Sequence, residues 1–241
     1  MTAELMVYAL IAAALVFWLR NILGTRSEDD PQISGARMEL DSSGKIVTLG
    51  AADTTMQSDR KTAIEELFEK EKGNMAIENS AARDALINIA KIDLDFDIHQ
   101  FLQATQDAFV YVVEAFAEGD RDTLADLLSP QVYEAFDKAI TQRQETGEVM
   151  HAEIQSIQKS AVVEARLENK GAFITVRFVA AEVTYIKDSD GNIIQGNPDK
   201  ATQMRDIWIF FRDLGSRDPR WTVVETREDE INDNDTLPNA H

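Results

Sequence analysis

Three hydrophobic patterns follow one another along this chain. From Leu5 to Leu19 the residues carry no charge, and a helix continued to Leu23 would be about 28 Å long, near the thickness of a bilayer core. Between about 60 and 146, apolar residues recur at intervals of three and four, which predicts amphipathic helices. From Glu153 the interval becomes two, which predicts β-strands.

The first pattern predicts a membrane anchor over residues 1–23. Aromatic residues end its apolar run and an arginine closes it, as expected at a membrane interface. A secretory signal peptide is one alternative, but it needs a basic start and a small-residue cleavage site. An interfacial or core helix is another, but its apolar residues would occupy one face only. The side chains expected to anchor the chain are Leu5, Leu10, Leu15, Phe17, Trp18 and Arg20.

Residues 24–59 are rich in Ser, Gly, Thr and Asp and predict a flexible linker. Residues 60–93 then carry two helical patterns separated by Gly73 and Asn74. Residues 60–91 hold six basic and six acidic side chains, an even balance in an acidic chain. The two patterns predict either a pair of packing helices or an amphipathic pair that docks on a membrane or a partner.

The pattern over residues 94–228 predicts one α+β domain, and the polar composition of residues 229–241 predicts a tail. A long helix ends at Gly119, a short helix follows, and a third begins after Ser129 as its N-cap. Four antiparallel strands come next. The apolar phase shifts past Val179, which predicts a bulge or sharp bend in that strand. We therefore expect helices packed on a curved four-stranded antiparallel sheet.

Composition excludes several kinds of function. A net charge of −19 argues against nucleic-acid binding, which needs a basic surface. Without cysteine there is no disulfide, thiol catalysis or thiolate metal site. The three histidines lack the spacing of a zinc site, and no nucleophile elbow, phosphate loop or dinucleotide fingerprint occurs. The acids Asp93, Asp95 and Asp97 fit helix capping better than catalysis, so we predict no catalytic residue, metal or cofactor.

Large aromatic side chains are numerous for a domain of this size. They form either an ordinary core or the lining of an apolar cavity between helix and sheet, which could hold an acyl chain or an apolar side chain. The candidate lining residues are Phe109, Phe116, Phe136, Phe178, Trp208 and Phe210.

Three sequence runs carry a family resemblance. They are EGDRDTLADLLSPQVYEAF from Glu118, VRF from Val176 and DIWIFFRDLGSRDPRW from Asp206. Over about 94–227 the chain resembles the C-terminal domains of the mitochondrial inner-membrane import tether, the forty-four-kilodalton translocase subunit. It is more similar still to the bacterial relatives of that family, whose membrane helix the first residues of this chain also resemble.

This resemblance implies a cone-shaped α+β fold like that of nuclear transport factor two, with an apolar pocket. It also implies a membrane-bound scaffold, which in the mitochondrial member recruits a seventy-kilodalton heat-shock chaperone to a channel. The family's long charged N-terminal region is replaced here by the predicted helix and linker. We therefore expect a non-enzymatic binding module, anchored in a bacterial inner membrane with its C-terminal domain in the cytoplasm. Its expected partner is an inner-membrane protein or assembly complex, with lipid as a further candidate ligand.

The alternative function is a small-molecule enzyme of the ketosteroid-isomerase type on the same cone fold. Such an enzyme needs an acid deep in the pocket beside a tyrosine or a second acid. The tyrosines of the domain that could serve are Tyr111, Tyr133 and Tyr185.

The charges around the predicted anchor give a testable topology. Arg20 and Arg26 follow the apolar run, whereas Glu4 is the one charged side chain before it, so the domain should face the cytoplasm. A reporter that works only outside the cytoplasm, fused after His241, should be inactive, and a reporter that works only inside should be active. The reverse pair of results would indicate a signal peptide or an inverted anchor.

Overall fold

The computed structural model describes residues 51–229. The predicted anchor at 1–23 and the linker up to residue 50 lie outside the described residues, as do residues 230–241 of the predicted tail. Within the described part, none of the helices combines the length and the apolar character needed to cross a membrane.

Residues 51–229 contain five α-helices, which fall where the three- and four-residue spacing predicts them, apart from one early start. The first helix begins at Ala51, so the end of the predicted linker is helical. The helices are α1 (Ala51–Glu69), α2 (Ser80–Ile92), α3 (Ile98–Glu118), α4 (Arg121–Leu127) and α5 (Pro130–Glu145).

The helix ends are set by local side chains, as predicted. The carboxylate of Asp97 accepts a hydrogen bond from the backbone N–H of Gln100 at 2.8 Å and so caps α3. At the other end of α3, Gly119 adopts a left-handed conformation with φ 76°, which a glycine reaches without steric cost. Ser129 caps α5 by accepting from the N–H of Val132.

The sheet of the described residues has six strands, so the prediction of four was wrong. Its order is β1-β2-β3-β5-β6, and β4 pairs with the far end of β3. It is also mixed, because β1 runs parallel to β2. The two unpredicted strands, β1 and β4, have three and four residues, too short for an alternating pattern to show. The strands are β1 (Met75–Ile77), β2 (Val149–Glu168), β3 (Gly171–Lys187), β4 (Ile193–Gly196), β5 (Thr202–Asp213) and β6 (Thr222–Glu228).

The longest pairing of the sheet contains three bulges. The 20 residues of β2 lie opposite the 17 residues of β3 along their whole length. The extra residues in β2 are Gln155, Gln158 and Val163, which have no partner in the register. Each bulge bends its strand and increases the local twist. The bulge predicted in β3 past Val179 therefore lies in the opposite strand, and β3 pairs with β5 without interruption.

One face of the sheet, here called the inner face, packs against the helices. From β3 it presents Ile174, Val176, Phe178 and Ala180, all completely buried. Because side chains alternate along a strand, the next inward residue of β3 is Glu182. The hydrophobic core thus covers part of the inner face and stops short of its end.

A polar network ties the segment after α1 to this core. The side-chain amide of Gln106, on α3, pairs reciprocally with that of Asn74 at 3.2 and 3.3 Å. Gln106 also donates to the hydroxyl of Ser160 at 2.7 Å, and Asn74 donates to the carbonyl of Ile157 at 3.0 Å. These bonds join α3 to the bulged part of β2 and leave the buried amides satisfied.

Removing the largest side chain at the centre of the sheet should destabilise the domain. Trp208 lies on β5 and is 2% exposed. Trp208→Ala should lower the free energy of unfolding by roughly 3–5 kcal/mol, because it leaves a large cavity. Urea unfolding would measure this against Tyr111→Ala, which truncates a 60% exposed aromatic residue and should change stability little. Equal stability of the two variants would contradict the packing described here.

Candidate binding site on the inner face of the sheet

Four of the six predicted aromatic residues form one cluster under α3. The ring of Phe109 stacks on that of Phe178 with centroids 4.5 Å apart, and Trp208 lies 5.0 Å from Phe109. Phe210 lies 6.4 Å from both Phe178 and Trp208. None of the four is more than 2% exposed. These rings make ordinary core contacts with one another, in the tilted and stacked geometries that aromatic pairs prefer.

The other two predicted aromatic residues lie together near the end of α3. Phe116 and Phe136 are half-buried, and their ring centroids are 5.1 Å apart. The guanidinium of Arg143 lies 5.1 Å above the Phe116 ring and donates to the carbonyls of Phe116 and Ala117 at 2.7 and 3.0 Å. It thereby satisfies carbonyls that the end of a helix leaves open. An apolar pocket among all six residues stays a prediction.

A second aromatic group, which the sequence analysis did not single out, continues the core toward the start of α3. Phe101 lies 4.8 Å from Trp221 and 5.9 Å from Phe210. Beside this end of the core, Arg212 forms a buried ion pair with Asp93 at 2.7 Å. Of the acids expected to cap, Asp97 caps α3, whereas the carboxylate of Asp93 neutralises a buried guanidinium.

Two acids occupy the inner face where the aromatic core ends. Glu182 follows Ala180 as the next inward residue of β3, and Asp206 precedes Trp208 as the next on β5. Asp206 pairs across the sheet with Phe178, which places its side chain on the same face. The indole N–H of Trp208 donates to the carboxylate of Asp206 at 3.2 Å. We call this part of the inner face the acidic end.

Both acids hold their protons more tightly than usual. Burial, followed by the charge of Asp206, raises the pKa of Glu182 to about 7. Burial also raises the pKa of Asp206 to about 6, against the hydrogen bond from Trp208, and the charges of Glu228 and Asp229 add to the increase. The charged side chains that perturb these two pKa values are thus all acids. Perturbed carboxyl groups of this kind favour a functional site.

The sequence does indicate that Glu182 faces inward, but the change in the positions of the apolar residues hides this. Past Val179 the apolar residues move to Val183 and Tyr185, which suggests a slipped strand. The backbone does not slip, and the inward positions simply become polar at Glu182 and Thr184. Continuing the alternation of β3 would have placed Glu182 on the inner face.

The three tyrosines that the enzyme alternative could use differ in exposure and in the face of the sheet on which they lie. Tyr111 is 60% exposed, and Tyr185 lies on the opposite face of the sheet, with its ring 4.9 Å from that of His151. His151 itself lies within β2, although the sequence pattern starts this strand only at Glu153. Tyr133 is half-buried against the core and is the one of the three candidate tyrosines on the core side. The enzyme alternative would therefore need an inward-facing acid beside Tyr133.

A separate groove lies between α1 and α2. It has a volume of about 330 Å³ and is lined by Gln57, Ser58, Lys61, Ile87, Ala90 and Lys91. Large apolar side chains next to these residues in sequence are exposed, with Met56 at 58% and Ile92 at 61%. Leu94 follows at 47%. This surface combines apolar side chains with two lysines.

The described domain is thus an α+β module whose helices cover one face of a bulged mixed sheet. The model of the Tim44-like domain family matches residues 82–228, and the chain belongs to this family. That match confirms the resemblance seen in the three sequence runs.

Curated relatives agree with this membership. The chain is 29% identical over 145 residues to the mitochondrial import inner membrane translocase subunit TIM44 of Mus musculus, and 27% identical to that of Homo sapiens. Both alignments cover 59% of this chain and 32% of the relative, so the chain spans about a third of the length of these relatives.

Similarity to solved structures is weak. The intermembrane space region of the chloroplast protein ARC6 matches with a TM-score of 0.37 and 9% identity, over 53% of this chain and 95% of that one. RPA3114, a SEC-C motif containing protein from Rhodopseudomonas palustris, matches with a TM-score of 0.26 and 14% identity, over 48% of this chain and 71% of that one. Scores this low support no functional argument.

The raised pKa of Glu182 predicts a pH-dependent stability. The folded state binds this proton more tightly than the unfolded state, whose ordinary value is 4.5. Its contribution is therefore fully present below about pH 4.5 and is lost as the pH rises through about 7. Glu182→Gln removes this loss, so the variant should be more stable than the parent by about 1–3 kcal/mol at pH 8 and nearly equal to it at pH 5.

Chemical unfolding at the two pH values would measure the difference. The control is Glu134→Gln, which removes an exposed acid on α5 and should leave the pH dependence unchanged. A parent and a Glu182→Gln variant with the same pH profile would show that Glu182 is not buried as described.

Proposed function

We propose that this chain is a membrane-associated, non-enzymatic binding module that engages an inner-membrane protein or assembly complex. Membership in the Tim44-like domain family is the observation that carries this proposal. The relatives are named as subunits of a mitochondrial inner-membrane import translocase, which supports work at a membrane alongside other proteins. The apolar segment at residues 1–23 supports anchoring of this chain, with its C-terminal domain in the cytoplasm of a bacterium.

The groove between α1 and α2 is the proposed docking surface. Exposed large apolar side chains that lie close together can mark a surface where a partner binds. Here Ile92 and Met56 are more than half exposed and are next in sequence to the groove residues Lys91 and Gln57. Lys61, which lies 3.6 Å from Glu65, and Lys91 place positive charge at the groove within a strongly acidic chain. This combination fits a membrane protein at the lipid surface, where basic residues are favoured by anionic headgroups.

The acyl chain or apolar side chain expected in the aromatic pocket is proposed as a second ligand of the same module. The half-buried pair Phe116 and Phe136 supports this, because it leaves aromatic surface at the edge of the core.

Site-specific photo-crosslinking in intact membranes would test the docking surface. A photoreactive amino acid at Ile92 of the full chain should give a defined crosslinked protein, because this exposed side chain directly follows the groove residue Lys91. The same amino acid at Tyr111, which is equally exposed on α3, is the matched control and should not give that product. Identical products at both positions, or none at Ile92, would count against docking through this surface.

A further inference from the structure

Strand β6 leaves one edge of the sheet open. Among the described residues, no strand pairs with β6 on the side away from β5. A single bridge lies on that side and joins Leu128 to Val223, where the N–H of Ser129 donates to the carbonyl of Val223 at 2.8 Å. Residues 224–228 lie beyond this bridge and contain neither proline nor glycine. An edge of this kind can pair with another strand.

The backbone groups of Thr226 and Glu228 point toward the open edge. The N–H of Asp229 donates to the carbonyl of Arg205 at 2.9 Å, so these two residues form a hydrogen-bonded pair between β6 and β5. Hydrogen-bonded and non-hydrogen-bonded pairs alternate along antiparallel strands, so Thr226 and Glu228 direct their N–H and C=O groups away from β5. Within residues 51–229 these groups have no hydrogen-bond partner, and they are available to a further strand.

The side chains beside these groups carry opposite charges. Glu225 and Arg227 lie opposite Ile209 and Ile207 of β5. These two isoleucines flank the inward-facing Trp208, so the charged pair lies on the other face of the sheet, here called the outer face. The carboxylate of Glu225 and the guanidinium of Arg227 are 3.5 Å apart, and both side chains are more than a third exposed. They can therefore reach a strand that pairs with β6.

We propose that β6 pairs antiparallel with β6 of a second copy of this chain, about a two-fold axis at Thr226. The two copies of Thr226 would exchange backbone hydrogen bonds, and the two sheets would become continuous. Each Glu225 would lie directly opposite the Arg227 of the other copy, which brings together four charges of alternating sign on the outer face. This interface goes beyond the proposed docking function and does not depend on it.

The charges select this register from its neighbours. Moving the axis to Glu225 would place that carboxylate opposite its own copy. Moving it to Arg227 would place two guanidinium groups opposite each other and would set Glu225 against Asp229. Like charges directly opposite each other destabilise a strand pair. Of these three axes, the one at Thr226 alone pairs opposite charges, and this self-complementarity favours a second copy over an unrelated extended peptide.

Cysteine crosslinking of the purified full chain in mild detergent would test the proposal. The chain has no cysteine, so a disulfide can form only at an introduced residue. Under mild oxidation Thr226→Cys should give a disulfide-linked dimer, because opposite residues of a hydrogen-bonded pair have Cα atoms about 5.5 Å apart, within disulfide range. The matched control is Thr222→Cys, at a half-buried threonine of the same strand. It should give little dimer, because the two copies of residue 222 would be about 26 Å apart along the strands.

Charge exchange in the Thr226→Cys chain would test the register. Adding Glu225→Arg should slow disulfide formation by at least about fivefold, because it places cations opposite each other at two positions. Adding Arg227→Glu as well restores opposite charges, so the rate should return to within about twofold of that of Thr226→Cys alone.

Three results would overturn the proposal: equal dimer formation by Thr226→Cys and Thr222→Cys, no slowing by Glu225→Arg, or no recovery in the double exchange. Equal and negligible dimer at both cysteines would mean that the edge stays open or is covered by something other than a second β6. Thermal melts identify any charge variant that fails to fold, and the two cysteine variants then decide alone. The crosslinking experiment at Ile92 probes a different surface, so either result can fail alone.

Discussion

The shape of this domain depends on a mismatch in strand length. Three residues of β2 have no partner in β3, and the two strands still pair from end to end. The excess length must be absorbed by bending and twisting the sheet, since hydrogen-bonded neighbours cannot drift apart. All three bulges lie between Ile154 and Glu164, beneath the helices. The buried bonds from Gln106 and Asn74 reach the same stretch of β2, so polar contacts fix the strand where its backbone is most irregular.

The bent sheet divides its inner face into two chemically different parts. Over one part, rings from α3, β3, β5 and the segment before β6 pack against each other, from Trp221 through Phe101 and Phe210 to Phe109. Over the other, the same strands present Glu182 and Asp206 with raised pKa values. The aromatic part provides stability, and the acidic part reduces it above neutral pH. Carboxyl groups with raised pKa values make this part of the inner face a candidate functional site.

Sequence patterns predicted most of the helices and the long strands because these elements are amphipathic over many residues. The caps at Asp97, Gly119 and Ser129 were equally readable, since capping is a local interaction. Strands β1 and β4 were missed because three or four residues are too few to show an alternating pattern. In addition, β1 forms its hydrogen bonds with β2, which is distant in sequence. The acidic end was missed because, in the sequence pattern, an inward-facing polar residue such as Glu182 cannot be distinguished from a change of strand register. The pairing of Arg212 with Asp93 joins residues far apart in sequence and leaves no local signal.

The core also reaches beyond the segment that the family match defines. That match begins at residue 82, yet Ile64 and Leu67 of α1 are 1% exposed within the same hydrophobic core. Asn74 and β1 are likewise bonded to β2. The cooperative unit of folding is therefore larger than the unit recognised by sequence comparison. A fragment cut at the family boundary would lose an edge strand and expose the surface that α1 covers, so its behaviour in solution would not represent the domain.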